Sequence, residues 1–117
     1  MIDVVTIDPD GAIRLETIPN GCEPLQQRVG GWIEAVSSEA NDVTLWVNEE
    51  GKLRGLPVNE LGTELWHLLS PGMRGFDVLC GTVVVSGGAD ANGDTMSIPG
   101  GLKQVLLTVQ QGSLSND

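Results

Sequence analysis

Residues 2–18, IDVVTIDPDGAIRLETI, decide the fold class. The first six are rich in β-branched side chains (Ile2, Val4, Val5, Thr6 and Ile7), which suit a half-buried pleated surface. Asp8-Pro9-Asp10-Gly11 is a turn by its chemistry, because Pro presets φ and Gly tolerates a positive φ. A second run from Ala12 to Ile18 then sets Ile13, Leu15 and Thr17 on one face. Two such runs around a tight turn form a β-hairpin, and a hairpin is antiparallel.

The rest of the chain extends this unit. Pro19-Asn20-Gly21 closes the hairpin. Glu23 to Val29 predicts a short helix, with Pro24 in its first turn, Leu25 and Val29 on one face, and Gly30-Gly31 past its end. Trp32 to Val36 and Val43 to Val47 read as strands joined by a polar connection. Glu49 to Lys52 reads as a turn, and Leu53 to Pro57 as extended chain. Asn59 is an N-cap for a second helix over Glu60 to Leu69, where Leu61, Leu65, Leu68 and Leu69 recur at helical spacing. Ser70-Pro71-Gly72 stops that helix. Phe76 to Val85 predicts the most hydrophobic strand, interrupted by Gly81. Gly87 to Asp94 predicts a loop. Behind Pro99, Leu102, Val105, Leu106 and Val109 form a helical pattern, and residues 111–117 predict a frayed tail. The element order predicts a single small α+β domain over residues 1–117. Its sheet is mostly antiparallel or mixed, with about five strands and two to three helices on one face.

Composition narrows the function classes. A chain of 117 residues is one domain, and 40% apolar residues sustain a core. Sixteen acidic against six basic side chains give a net charge of −10, which opposes direct nucleic-acid binding, since that needs cations to neutralise phosphates. Aromatic content of 3% excludes a platform of several stacking rings. The opening Met1-Ile2-Asp3-Val4-Val5 does not read as a signal peptide. No apolar run approaches the roughly 18 residues of a membrane span. Cys22 and Cys80 therefore read as ordinary thiols, in a soluble cytoplasmic protein with no membrane contact.

The residues offer little for catalysis. His67 is the single histidine and falls mid-helix beside apolar residues, where structural roles predominate. Neither cysteine lies at metal-ligand spacing from His67 or from the other, so neither a metal nor a cofactor is expected. There is no phosphate-loop or nucleophile-elbow motif. Asp90-Ala91-Asn92-Gly93-Asp94 is faintly like part of a calcium loop but lacks the distal Glu. The expectation is a protein without enzymatic activity.

One segment stands out. Asn48 to Asn59 concentrates amides, acids and two of the six basic residues. A hairpin turn followed by a helix cap accounts for Asn48, Gly51 and Asn59 by itself. The functional alternative is a polar rim, in which Lys52 and Arg54 face an anionic ligand while Asn48, Glu50 and Asn59 read a sugar or base edge. Trp32, opening a strand after two glycines, is either core or a stacking surface for the same ligand, and Trp46 falls out of phase with Val43, Leu45 and Val47. The candidate ligand-binding set is Trp32, Asn48, Glu50, Lys52, Arg54 and Asn59.

Three stretches carry a resemblance. They are Gly30-Gly31-Trp32-Ile33-Glu34; Asn48-Glu49-Glu50-Gly51-Lys52-Leu53 with Gly55-Leu56-Pro57 and Asn59; and Asp77-Val78-Leu79-Cys80-Gly81-Thr82 running on to Val85. In this order they resemble the domain-of-unknown-function family numbered 3846, over residues 23–87. The chain departs from that pattern with Trp32 where Tyr is common and with a longer segment between Asn59 and Phe76. The resemblance implies a phage, plasmid or conjugative-element origin and a small α+β fold. It carries over no established activity and no catalytic residues.

Together these readings predict action by binding. The first expectation is a homo-oligomeric sponge that sequesters a host immune nucleotide, with Trp32 and the Asn48–Asn59 segment lining a pocket. The second is an acidic inhibitor that mimics nucleic acid and covers a host defence or regulatory protein. A nucleotide-acting enzyme ranks last, since only His67 and scattered carboxylates support it.

Overall fold

The computed structural model describes the backbone of residues 1–115 and the side chains of residues 1–112. The opening hairpin forms as the sequence dictates: β1 (Ile2–Ile7) pairs antiparallel with β2 (Ile13–Ile18), Ile2 opposite Ile18 and Ile7 opposite Ile13. The first helix, α1 (Cys22–Val29), follows and ends at Gly30 in the left-handed conformation. A second hairpin pairs β3 (Ile33–Ser37) with β4 (Val43–Asn48). Then come α2 (Glu60–Leu69), a 3-10 turn at Pro71–Met73, the strand β5 (Val83–Gly87) and the helix α3 (Gly100–Ser115). The single domain is α+β, and its five-stranded sheet is antiparallel throughout, in the order β2-β1-β5-β4-β3. β5 enters last yet lies at the centre, joining the two hairpins. All five of its residues are buried, which fits its near-continuous apolar run.

The helices cover both faces of the sheet, not the one face that the element order predicts. On one face Leu25 and Val29 of α1 pack against Ile2, Val4, Ile18 and Val84, with Trp46 and Ile33 beside them. On the other, Leu65 and Trp66 of α2 and Leu106 of α3 pack over Val5, Ile7, Leu45 and Val85. Both strand faces carry apolar residues, so both had to be covered. Burying each such side chain contributes about 1.5–3 kcal/mol. An ion pair ties α1 to β2, with the Arg28 guanidinium 2.9 Å from the Glu16 carboxylate.

Two further segments differ from expectation. The strand predicted over Phe76 to Val85 is limited to its last three residues plus Ser86 and Gly87. Upstream, the backbone bonds to other partners: the Leu79 N–H donates to the Thr63 hydroxyl at 2.9 Å, and Cys80 forms an isolated bridge with Val58. Gly81, at φ 84°, is where the chain swings from that path into the sheet. Leu53 to Pro57 is not extended as a whole. The Arg54 N–H donates to the Glu50 carbonyl and the Gly55 N–H to Lys52, so residues 50–55 coil into successive turns. The expected frayed tail lies partly within α3, which runs to Ser115, and partly outside the described residues. No helix among the described residues is long and apolar enough to cross a membrane.

Candidate functional site

The candidate ligand residues divide by burial. Asn59 is completely buried. Its Oδ1 accepts from the Gly62 N–H at 2.8 Å as the N-cap of α2, and its Nδ2 donates to the carbonyls of Ile7 and Gly81, both at 2.9 Å. It joins α2, β1 and the entry to β5 and has no face left for a ligand. Asn48, also buried, is used similarly. Its Nδ2 donates to the Val29 carbonyl at 3.1 Å and its Oδ1 accepts from the Glu50 N–H at 2.8 Å. Arg54 donates to the Gly30 carbonyl at 3.1 Å. Asn48 and Arg54 thus collect carbonyls at the C-terminus of α1, where a donor satisfies orphan acceptors and a cation complements the helix dipole. The hairpin-and-cap account of this segment fits Asn59 and the Asn48–Glu50 turn, whereas Arg54 is exposed and spends one donor on the end of α1.

Trp32, Glu50 and Lys52 remain outside. Trp32 is 67% exposed, neither core nor covered, and its carbonyl pairs with the Glu49 N–H. Glu50 is exposed. Lys52 forms an ion pair with Asp77. Trp66 is buried in the larger core cluster, whereas Trp46 lies on the α1 face and donates from Nε1 to the Ser86 hydroxyl at 2.8 Å.

Lys52 and Asp77 stand at a cleft of about 450 Å³ on the α2 side of the sheet. Its inner wall holds the buried Val47, Trp66 and Leu79, and Glu34, Glu49, Lys52 and Asp77 supply its charge. Three carboxylates against one ammonium leave the cleft net negative, and the ammonium is already engaged. The hydrogen bond from Lys52, helped by the Val78 N–H, holds the Asp77 carboxyl below its ordinary pKa against a smaller upward pull from burial. Apolar groups lie open at the same place. Leu53 and Val78 line it and are 88% and 39% exposed, and Phe76, outside its lining but next to Asp77 in the chain, is 81% exposed.

Sequence reasoning found Lys52 but missed Glu34, Phe76 and Asp77. A large apolar residue in a polar turn, Leu53, and the chain's single Phe were the available signals. The three acids stand in the stretches that carry the family resemblance, but nothing local joined them, because they come from β3, the turn after β4 and the chain before β5. His67 Nε2 lies 3.0 Å from the Asp77 carbonyl oxygen, so it braces that segment. Cys22 and Cys80 are both free thiols, and no group of His, Cys, Asp or Glu among the described residues is arranged to hold a metal.

The fold and cleft describe a small antiparallel-sheet module with an acidic, partly apolar recess at one end of its second hairpin. By comparison with known families, the chain belongs to the family described as Domain of unknown function (DUF3846), whose model matches residues 2–110. No curated protein and no solved structure matches the chain.

Proposed function

We propose that the protein acts by binding, and that its cleft receives a basic segment of a partner protein that also carries an apolar side chain. The observation that carries this reading is the composition of the cleft: Glu34, Glu49 and Asp77 outnumber Lys52, while Leu53 and Val78 stay open to solvent. Exposed apolar side chains rimmed by charge favour a protein partner. Surplus carboxylates speed encounter with a cationic surface and repel phosphate. Of the two binding expectations, this supports the acidic inhibitor. In the mobile-element setting that the resemblance implies, the partner is a host defence or regulatory protein whose working face is basic. The nucleotide sponge keeps Lys52 at the cleft, where Asp77 neutralises it, and the exposed Trp32 and Arg54, which do not line the cleft.

A thermal-shift comparison tests the choice. The protein is melted with cyclic and linear nucleotides and ADP-ribose, and separately with a Lys-Leu peptide and its Asp-Leu counterpart. A ligand at about 100 times its Kd adds roughly 2.7 kcal/mol, a shift of several degrees. The Lys-Leu peptide alone should raise Tm, and the paired substitution Glu34→Lys with Glu49→Lys should remove the rise. A nucleotide that raises Tm in the wild type but not in Lys52→Met restores the sponge.

A further inference from the structure

β3 is an edge strand, and its hydrogen-bond phase is fixed. The Glu49 N–H donates to the Trp32 carbonyl at 2.8 Å and the Ser38 N–H to the Val43 carbonyl at 2.9 Å. Opposed residues in an antiparallel pair alternate between bonded and non-bonded pairs. The register sets Glu34 opposite Val47 and Val36 opposite Leu45, so these are the bonded pairs between those two. The N–H and C=O groups of Ile33, Ala35 and Ser37 therefore point outward. No hydrogen bond among the described residues reaches them.

The other edge is defended. At β2, Gln110 of α3 donates to the Ile13 carbonyl, and Arg14, Glu16 and Arg28 form an ion-pair chain beside it. Natural proteins blunt a free edge by such covering and charge. β3 has one charged residue, Glu34, and no hydrogen-bonded cover among the described residues. It is also flanked by a recess on each face. Glu34 and Val36 line the acidic cleft. Ala35 and Ser37 line a second recess of about 380 Å³ on the α1 face, with Thr44, Trp46 and Thr95, and none of its lining residues is charged.

We propose that β3 is the receiving edge for strand addition: an extended partner segment pairs antiparallel with Ile33, Ala35 and Ser37 as a sixth strand and drops alternate side chains into the two recesses. This deepens the proposed function and rests on its reading of the acidic cleft. In strand addition, main-chain hydrogen bonds supply affinity and alternate side-chain pockets supply specificity. Residues directly opposite each other share a sheet face. Partner residues opposite Ile33, Ala35 and Ser37 are thus small and uncharged, and those opposite Glu34 and Val36 are basic and apolar. Charge selects this occupant over a second copy of the chain. A symmetric β3–β3 pairing centred on Ala35 would set two Glu34 carboxylates on one face in a diagonal pair, roughly 7–8 Å apart, next to two acidic rims.

Peptide selection followed by backbone editing tests the proposal. Random decapeptides displayed on phage are selected on the folded protein, and enriched sequences are synthesised with a fluorophore for anisotropy. Enriched peptides should alternate, with Lys or Arg and aliphatic residues in one set and Ser, Thr, Ala or Gly in the other. N-methylation within the uncharged set should weaken binding about tenfold or more, because those amides bond to β3, whereas methylation in the basic set should change it little. Ala35→Pro, which removes an outward N–H, should weaken binding by about as much. If Ala35→Pro does not fold, the methylated peptides decide alone. Peptides that lose binding to Glu34→Lys but ignore both backbone edits overturn strand addition and leave the cleft reading standing. No enrichment at all overturns both. A dimeric mass in sedimentation that Ala35→Pro returns to monomer makes the occupant a second copy and overturns the basic partner.

Discussion

Asn59→Ala is the most informative single perturbation of the fold. The side chain is fully buried and makes three hydrogen bonds, none to solvent. Losing the cap to the Gly62 N–H costs about 1 kcal/mol. Losing Nδ2 leaves the carbonyls of Ile7 and Gly81 buried without that donor, at about 1–3 kcal/mol each. Together these come to about 3–7 kcal/mol, a large part of the ~5–15 kcal/mol available to a domain. Urea unfolding followed by tryptophan fluorescence measures it. With a slope near 2 kcal/mol per molar, the midpoint should fall by about 1.5–3.5 M with the slope unchanged. Asn59→Asp sharpens the test: it keeps the acceptor for Gly62 but turns a carboxylate toward two carbonyl oxygens. At neutral pH it should be less stable than the alanine variant, and the gap should narrow in acid as protonation restores a donor. An Asn59→Ala protein within about 1 kcal/mol of wild type, or an aspartate tolerated at pH 7, would refute the reasoning.

Other consequences can be checked separately. Gly87→Ala would put a Cβ 2.4 Å from the Ser97 carbonyl oxygen, so the backbone must move; the melting temperature should fall by roughly 5–10 °C. In an NMR pH titration the Asp77 carboxyl should titrate below its ordinary 3.8, and Lys52→Met should move it back up. Because that pKa is depressed, the stability it contributes is present above 3.8 and is lost as pH falls through the folded value. Burial pushes the Glu16 carboxyl upward, but Arg28 and Arg14 outweigh it and hold the group below 4.5. The stability gap between wild type and Arg28→Met should therefore be full above pH 4.5 and close as pH falls below it, as read by urea midpoints across that range. Iodide should quench Trp32 far more than Trp66, and Trp32→Phe should remove most of the quenchable emission.

The parts legible in the sequence were those fixed by near neighbours. The Asp8-Pro9-Asp10-Gly11 turn and its alternating flanks specify the β1–β2 hairpin because turn geometry sets register locally. Asn59 announces α2 because a cap acts on an N–H three residues away. Gly30-Gly31 end α1 for a similarly local reason. The internal bonds of Asn48 and Arg54 are not legible in the segment that holds them. Their partners, the carbonyls of Val29 and Gly30, lie on another element, and a sequence window does not show which acceptors a folded chain leaves open.

What only the tertiary structure decided was the pairing of distant segments. β5 inserts between β1 and β4 because a buried apolar strand gains most where both of its edges are paired and both of its faces are covered. The helices divide between the two faces because each face carries apolar side chains that one layer cannot bury. The acidic recess follows from that arrangement: Glu34, Glu49 and Asp77 are scattered along the chain and meet where the second hairpin packs against the segment that leads into β5. The free edge of β3 is likewise a consequence of strand order. Periodicity fixes which residues alternate along a strand, but only long-range burial fixes which strand is left without a neighbour.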